Sequence, residues 1–362
     1  VDAAQYGEFQ DFLRRGEIPE QFRRRCAAEA FARTSAYDAV IARALTGEEP
    51  PTVWSWSASL VQRLRYGENP HQSGWLYGEV FRRCFRQLHG KELSYTNILD
   101  LDAAVRLILE FEQPTVAILK HTIPCGVASA ESLLEAWQKA WETDPVSPFG
   151  GIVVANREVG AELAERLAEV FLELVIAPAF AEHALELLRR KKNLRLLLYD
   201  AQAVREQLRE EFRSVIGGVL VQVPDTALLP AEGWRVVTRR APTAEEEAAL
   251  LFAWRVVKHV KSNAVVFARV DRTVAIGGGQ TSRLDAVRVA VRKAREVGVS
   301  LQGTVVASDA FFPFPDALQE AVAAGACAVI QPGGSIRDAD VIAAADALGV
   351  AMVFTGMRHF RH

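Results

Sequence analysis

Apolar positions recur at helical spacing in the first part of the chain. Between residues 19 and 45, Phe22, Cys26, Phe31, Tyr37, Ile41 and Leu45 keep a broadly helical period, so residues 4–47 read as helices. The Arg23-Arg24-Arg25 run reads as the solvated face of that lead rather than as a binding patch. Gly47-Glu48-Glu49-Pro50-Pro51 then forms a stiff polar break. Beyond it the pattern alternates. Short β-branched runs at 115–119, 152–155, 174–177, 194–199 and 216–223 predict strands, and stretches such as 161–172 and 201–212 between them predict helices.

A second series follows residues 235–238. A helix at 244–258, a strand at 264–270, a turn at Asp271-Arg272 and a strand at 273–276 follow. Next come a helix from Ser282, strands at 304–307, 328–331 and 351–354, and helices at 316–324 and 336–348. Strand and helix in alternation imply an α/β fold with a largely parallel sheet. Pro224, Pro230 and Pro242 cluster where the two series meet, at about residues 225–242. The expected organisation is a helical segment at 1–50, a first α/β subdomain at 51–228 and a second at 229–362. The two halves share no close sequence repeat, which leaves structural similarity between them open.

Composition narrows the function classes. The 362 residues are 50% hydrophobic and 24% charged, the profile of a globular protein. Forty-two basic and 45 acidic residues give a net charge of −3, which offers no reason to expect nucleic acid or an anionic membrane as partner. Cys26, Cys84, Cys125 and Cys327 are scattered, as in reduced thiols of a cytoplasmic protein. No apolar run is long enough to span a bilayer, and Val1-Asp2-Ala3 opens no signal segment, although an initiator Met is missing too.

Candidate chemistry sits where strands end, the place where parallel sheets gather ligands. The strand at 115–119 runs into Lys120-His121-Thr122-Ile123-Pro124-Cys125-Gly126. A histidine can accept a proton as an amine attacks, and a neighbouring lysine can stabilise negative charge. The alternative is a pair that merely solvates the sheet edge. Pro124-Cys125 raises the zinc deaminase pattern, but position 128 is Ala128 and no HxE element precedes it, so a catalytic metal is not expected. The loop Gly277-Gly278-Gly279-Gln280-Thr281-Ser282-Arg283 joins a strand to a helix and suits an anion, while Ser282 with Asp285 suits a helix cap. In Leu64-Arg65-Tyr66-Gly67-Glu68-Asn69-Pro70-His71-Gln72, Arg65 is a candidate phosphate partner and Tyr66 a ring contact; a self-satisfied loop is the alternative. Phe311, Phe312 and Phe314 form either a slot for a ring, with Asp316 as polar reader, or a plug for the next helix. Gln331-Pro332-Gly333-Gly334-Ser335 ends another strand before a helix. The basic tail Arg358-His359-Phe360-Arg361-His362 follows a strand closely enough to tuck into a site.

Together these segments resemble the transformylase part of the bifunctional purine-biosynthesis family that joins AICAR (aminoimidazole carboxamide ribonucleotide) transformylase to IMP cyclohydrolase. The motifs LRYGENPHQ, GKELSYTNILD, LKHTIPCGVA, DPVSPFGGIV, VKSNAVVFA, GGGQTSR, SDAFFPFPD, QPGGS and TGMRHFRH occur in family order and cover nearly the whole chain. The resemblance implies transfer of a formyl group from the co-substrate 10-formyltetrahydrofolate to the 5-amino group of AICAR. It implies His121 as base, Lys120 as transition-state stabiliser, and Asn263 as the residue that orients the carboxamide and polarises the formyl oxygen. Arg65, Tyr66, Gly150, Glu173, Arg283, Phe311 and Arg358 match the nucleotide set, with Arg65 and Arg358 on the phosphate. Leu284, Asp316, Ser335 and Ile336 match the folate side. Two cytidine-deaminase-like units without zinc ligands and an intertwined homodimer with shared active sites are further implications. A structural monovalent cation, as in some relatives, is unreadable from these residues. The chain departs from many relatives at Ile123, where they have Asn, and at Glu173, where some have Asp. With no room for one at its N-terminus, the chain is expected to be without the family's cyclohydrolase domain.

Overall fold

The computed structural model describes residues 1–46 and 50–362. The break read at 47–51 thus lies partly outside the described residues. The chain divides into two compact units: Val1–Arg63 with Trp75–Glu79, and Leu64–Gly74 with Val80–His362.

The first unit holds a short 3-10 turn, helices α1 (Tyr6–Arg15) and α2 (Glu20–Thr46), and most of a two-stranded sheet of β1 (Leu60–Leu64) and β2 (Gly74–Tyr77). Gly16 ends α1 with φ +76°, a left-handed cap that lets the chain reverse into α2. Phe9 and Phe12 pack on Phe22 at ring distances of 6.3 and 5.1 Å.

The second unit begins with α3 (Phe81–Cys84), β3 (Phe85–His89) and α4 (Tyr95–Ile108). The antiparallel hairpin β4 (Thr115–Lys120) and β5 (Ile123–Ser129) leads to α5 (Leu133–Thr143). Then β6 (Gly151–Ala155), α6 (Ala161–Glu169), β7 (Leu172–Ala177), α7 (Glu182–Arg189), β8 (Arg195–Tyr199) and α8 (Ala201–Gln207) follow. After the hairpin β9 (Glu211–Val215) and β10 (Gly218–Gln222) comes the second series. It runs β11 (Arg235–Val236), α9 (Ala244–Val257), β12 (Val265–Ala268), β13 (Thr273–Gly277) and α10 (Arg283–Glu296). It ends with β14 (Thr304–Ser308), α11 (Pro315–Ala323), β15 (Ala326–Gln331), α12 (Asp338–Leu348) and β16 (Ala351–Phe354).

Two six-stranded sheets result, ordered β3-β8-β7-β6-β4-β5 and β11-β16-β15-β14-β12-β13. The orders are the same path traced twice, so the two halves are alike in topology without a close sequence repeat. Each sheet is mixed rather than largely parallel. In the first, β6, β7 and β8 are parallel while β3, β4 and β5 add antiparallel pairings. The second repeats this with β14, β15 and β16 against β11, β12 and β13. The sequence hides the difference because strands buried on both faces read as apolar runs in either orientation.

Alternate residues of one strand serve different cores. Val116 and Ile118 join α5 and α6 on one face, whereas Ala117 and Leu119 join α4 on the other. That second core is common to both halves, since Val266, Val305 and α9 belong to it as well. At their edges the two sheets touch antiparallel. Ala128 bridges Arg272, and the Val127 N–H donates to Thr273 Oγ1 at 2.9 Å.

Two other expectations change. The helix expected over 201–212 stops at Gln207, and the single strand expected over 216–223 is one arm of the β9–β10 hairpin. Its turn uses Gly217 at φ +77°. Of the segment at 235–238 that precedes the second series, only Arg235–Val236 forms a strand.

Candidate functional site

Lys120 and His121 do not follow a parallel strand into a loop. They occupy the turn of the β4–β5 hairpin, at the amino edge of the parallel strands, because β4 runs against β6. Strands β6, β7 and β8 begin beside them, which brings Gly150 and Glu173 to the same edge. In the second half the expected rule holds. Phe311, Asp316, Ser335, Ile336 and Arg358 follow the carboxyl ends of β14, β15 and β16, and Asn263 precedes β12, which runs against β14. Since β5 meets β13 antiparallel, the amino edge of one half and the carboxyl edge of the other face the same side.

The turn is unusual in its backbone. His121 and Thr122 have φ values of +53° and +65°, a left-handed conformation that costs an L-residue about 1–2 kcal/mol. The Thr122 N–H donates to Asp100 Oδ1 at 2.6 Å. Lys120 Nζ donates to the Phe149 carbonyl at 2.8 Å, and the His121 side chain is exposed. Phe149 lies in the loop before β6. Asp144 anchors that loop by accepting the N–H groups of Val146 and Ser147, and Lys293 of α10 pairs with the same carboxylate at 2.8 Å. Burial opposes ionisation of Asp144, but Lys293 and Ser147 hold its pKa below the usual carboxylate range. Gly150 has φ +73° and its N–H donates to the Phe171 carbonyl at 2.9 Å. Glu173 accepts from Arg195 at 3.0 Å and from Asn97 at 3.2 Å.

Asn263 is held in a second network. It follows a cis peptide bond at Ser262. Its N–H and its side-chain amide both donate to the Gln280 carbonyl, at 3.0 and 2.9 Å, which ties it to the glycine loop. Arg283 donates to Asn263 Oδ1 at 2.9 Å and to the Ala264 carbonyl at 2.8 Å. Arg283 also pairs with Asp309, and both are buried. Asp309 accepts from the Ala264 N–H at 3.0 Å and from the Ser262 hydroxyl. Burial pulls the Arg283 pKa down while Asp309 works against it. The C-terminal tail completes this network. The His359 N–H donates to the Asp309 carbonyl, and Ser262 exchanges backbone and hydroxyl bonds with Arg361. The tail therefore folds onto the segment that carries Asn263.

Other candidates are placed separately. Arg65 stacks on the Tyr66 ring at 4.7 Å and donates to its hydroxyl at 2.9 Å, and Asn69 bonds Gln72 within the same loop. Arg358 is exposed, lies over Phe360 at 4.2 Å, and lines a cleft of about 1210 Å³ with Arg106, Arg213 and His362. The three phenylalanines split. Phe312 is fully buried in the core, so it is the plug, whereas Phe311 and Phe314 remain exposed. Asp316 is exposed near the start of α11, and Leu284 is partly buried against the second half's outer core. Asp338 accepts from the N–H groups of Gly334 and Ser335, and Ile336 projects into solvent. Ser282 caps α10 by accepting from the Asp285 N–H at 3.0 Å, so the glycine loop does carry the expected cap.

Cys125 is buried and its thiol is pushed up to about 12 by burial, so it is no nucleophile at neutral pH. Among the described residues, no three His, Cys, Asp or Glu side chains are grouped to hold a metal ion, and no helix is long and apolar enough to cross a membrane. Asp100, Asp144 and Asp309 were not singled out by sequence reasoning. Each lies inside a motif quoted above, but Thr122, Lys293 and Ala264, the partners that tie them to other elements, are distant in the chain. The spacing of Asp100 three residues after Asn97, behind the Ser94 cap of α4, is the signal that would have found it.

Comparison with known proteins agrees with the motifs. Residues 1–293 match the family described as AICARFT/IMPCHase bienzyme. The bifunctional purine biosynthesis protein PurH of Chloroflexus aurantiacus is 59% identical over 365 residues, covering 100% of this chain and 71% of the relative. The PurH protein of Anoxybacillus flavithermus is 50% identical over 372 residues, covering 100% of this chain and 72% of its own length. That of Bacillus cereus (strain B4264) is 49% identical over 355 residues, covering 96% and 69%. The chain belongs to the AICARFT/IMPCHase bienzyme family.

Proposed function

We propose that this chain transfers the formyl group of 10-formyltetrahydrofolate to the 5-amino group of AICAR, giving formyl-AICAR and tetrahydrofolate in purine biosynthesis. The observation that carries the reading is family membership along the chain, joined to the placement of Lys120, His121 and Asn263 on one side of the paired sheets.

The amine lone pair of AICAR is delocalised into its ring and carboxamide, so the nucleophile is weak. Asn263 orients the carboxamide and polarises the formyl oxygen. The amine nitrogen attacks the formyl carbon, His121 takes up the proton through the carboxamide, and Lys120 stabilises the oxyanion. The bond from N10 of the folate to the formyl carbon then breaks, and N10 receives a proton. These steps route nothing through a catalytic metal, and a structural monovalent cation, as in some relatives, belongs to the same reading. Arg65 and Arg358 serve the phosphate, and Tyr66, Gly150, Glu173, Arg283 and Phe311 complete the nucleotide set. Leu284, Asp316, Ser335 and Ile336 serve the folate. Exposed Phe311 and Ile336 support this by leaving apolar surface for rings.

The subdomain division at 228/229 and the cytidine-deaminase-like kinship belong to the same reading. The division is supported by strands β3 to β8 preceding it and β11 to β16 following it. A homodimer with shared sites belongs to it too. Ile216, Leu220 and Val223 of the β9–β10 segment are exposed, an apolar surface that a second copy would cover. Ring closure of the product is not assigned to these residues.

The test is release of tetrahydrofolate from purified protein supplied with AICAR and 10-formyltetrahydrofolate. His121→Ala should lower kcat by about 100-fold or more while AICAR still binds. Wild-type turnover in that variant would remove the mechanism. AICAR binding by the wild-type chain without transfer would favour a non-catalytic purine-nucleotide-binding module instead.

A further inference from the structure

We propose that Asp100 is a positioning residue for His121: by accepting the Thr122 N–H it holds the β4–β5 turn in the left-handed conformation that presents the imidazole. The role given to His121 rests on the formyl-transfer reading; the hold on the turn does not.

Helix α4 supplies the platform. Asn97 and Asp100 are three residues apart and share a face. Asn97 donates to Glu173, and Asp100 receives Thr122, so one helix face engages both Glu173 and the turn that carries His121. The turn needs such a hold. It contains no glycine, yet His121 and Thr122 both take positive φ. Its other bonds do not tie it to α4: Lys120 Nζ reaches Phe149, and Thr122 Oγ1 returns to the His121 carbonyl. The bond of 2.6 Å from Thr122 to Asp100 supplies that link. Around the Asp100 carboxylate stand His121, Lys261 and Glu173. Burial raises its pKa, while the Thr122 N–H and the charges of His121 and Lys261 favour the ionised form.

A backbone N–H requires an acceptor atom rather than a charge, which separates two variants. Asp100→Asn keeps Oδ1 and nearly the same shape; Asp100→Ala removes the acceptor. Asp100→Ala should lower kcat by about 10- to 100-fold, the cost of leaving the Thr122 N–H without its acceptor, with the KM for AICAR little changed. Asp100→Asn should stay within about threefold of wild type. Hydrogen–deuterium exchange provides a readout independent of the reaction. The Thr122 amide should exchange faster in Asp100→Ala and at the wild-type rate in Asp100→Asn. Unchanged exchange in Asp100→Ala, wild-type kcat in that variant, or an Asp100→Asn variant as slow as Asp100→Ala would each overturn the proposal. If the exchange pattern holds but wild-type protein transfers no formyl group, the functional reading fails and the hold on the turn stands.

Discussion

Glu110, Lys258 and His259 form a buried charged group whose protonation can be assigned from partners. Arg361 Nη1 faces His259 Nδ1 at 3.4 Å, and a guanidinium only donates, so Nδ1 is the acceptor. The proton then sits on Nε2, which donates to Glu110 at 2.9 Å, leaving the imidazole neutral. Burial pushes His259 down to about 4. Burial opposes the Glu110 carboxylate, but the bonds from His259 and Lys258 still bring it to about 2. Both folded values lie below the unfolded ones, so the unfolded chain binds more protons and stability rises with pH, to be lost as pH falls. For His259 the loss runs from about pH 6.5 down to about 4, and for Glu110 from about 4.5 to about 2. Urea unfolding at pH 7 and pH 5 should differ by on the order of 2 kcal/mol from His259 alone, and His259→Asn should flatten that slope. Equal slopes would show that His259 is not held neutral. None of this was legible in the sequence, where His259 stands between Lys258 and Val260 and Glu110 lies 149 positions away. Lys120 and His121 were legible as a pair, but their left-handed support was not, because Asp100 is in a helix the apolar pattern did not reveal.

At the scale of elements, the β4–β5 and β12–β13 hairpins each cross the following helix at a glycine. A Cβ on Gly126 would stand 1.9 Å from the Ala140 carbonyl oxygen, and one on Gly277 would stand 1.9 Å from that of Ala286. Neither glycine has positive φ, so the requirement is space. Alanine at either position should destabilise the protein by at least about 1–3 kcal/mol, because backbone has to move. Gly160, which has nothing within 4 Å, should accept alanine with little change in Tm. Comparable melting temperatures for all three variants would contradict this packing. Strands such as β4 and β6 were readable from composition because both faces are covered. The β4–β5 turn was not, since Lys-His-Thr lacks the Gly, Asn or Asp that usually marks a hairpin. The β9–β10 turn did carry such a mark in Gly217-Gly218, but apolar residues on both sides hid it inside one run.

For the whole molecule, the doubled topology explains why the candidate residues come from both halves yet face one side. A second copy laid across that side would set the hairpin turn of one chain against the Asn263 network of the other. Sedimentation should therefore give a dimer. Mixing His121→Ala with Asn263→Ala chains should regain part of the lost turnover, because some mixed sites escape both substitutions. Proven heterodimers that stay inactive would place each site within one chain. The division of labour between halves could be anticipated from motif order. The reversal of strand direction that puts an amino edge beside a carboxyl edge could not, since it depends on which strands pair.

The antiparallel contact between β5 and β13 has a wider consequence. Each is the last strand of its sheet, and an open edge is a template for pairing with foreign chains. Here the bridge at Ala128 and the Thr273 hydroxyl, which also bonds Thr143, set one edge against its own counterpart. Each half thus shields the other from aggregation, so neither can be lost without exposing its twin.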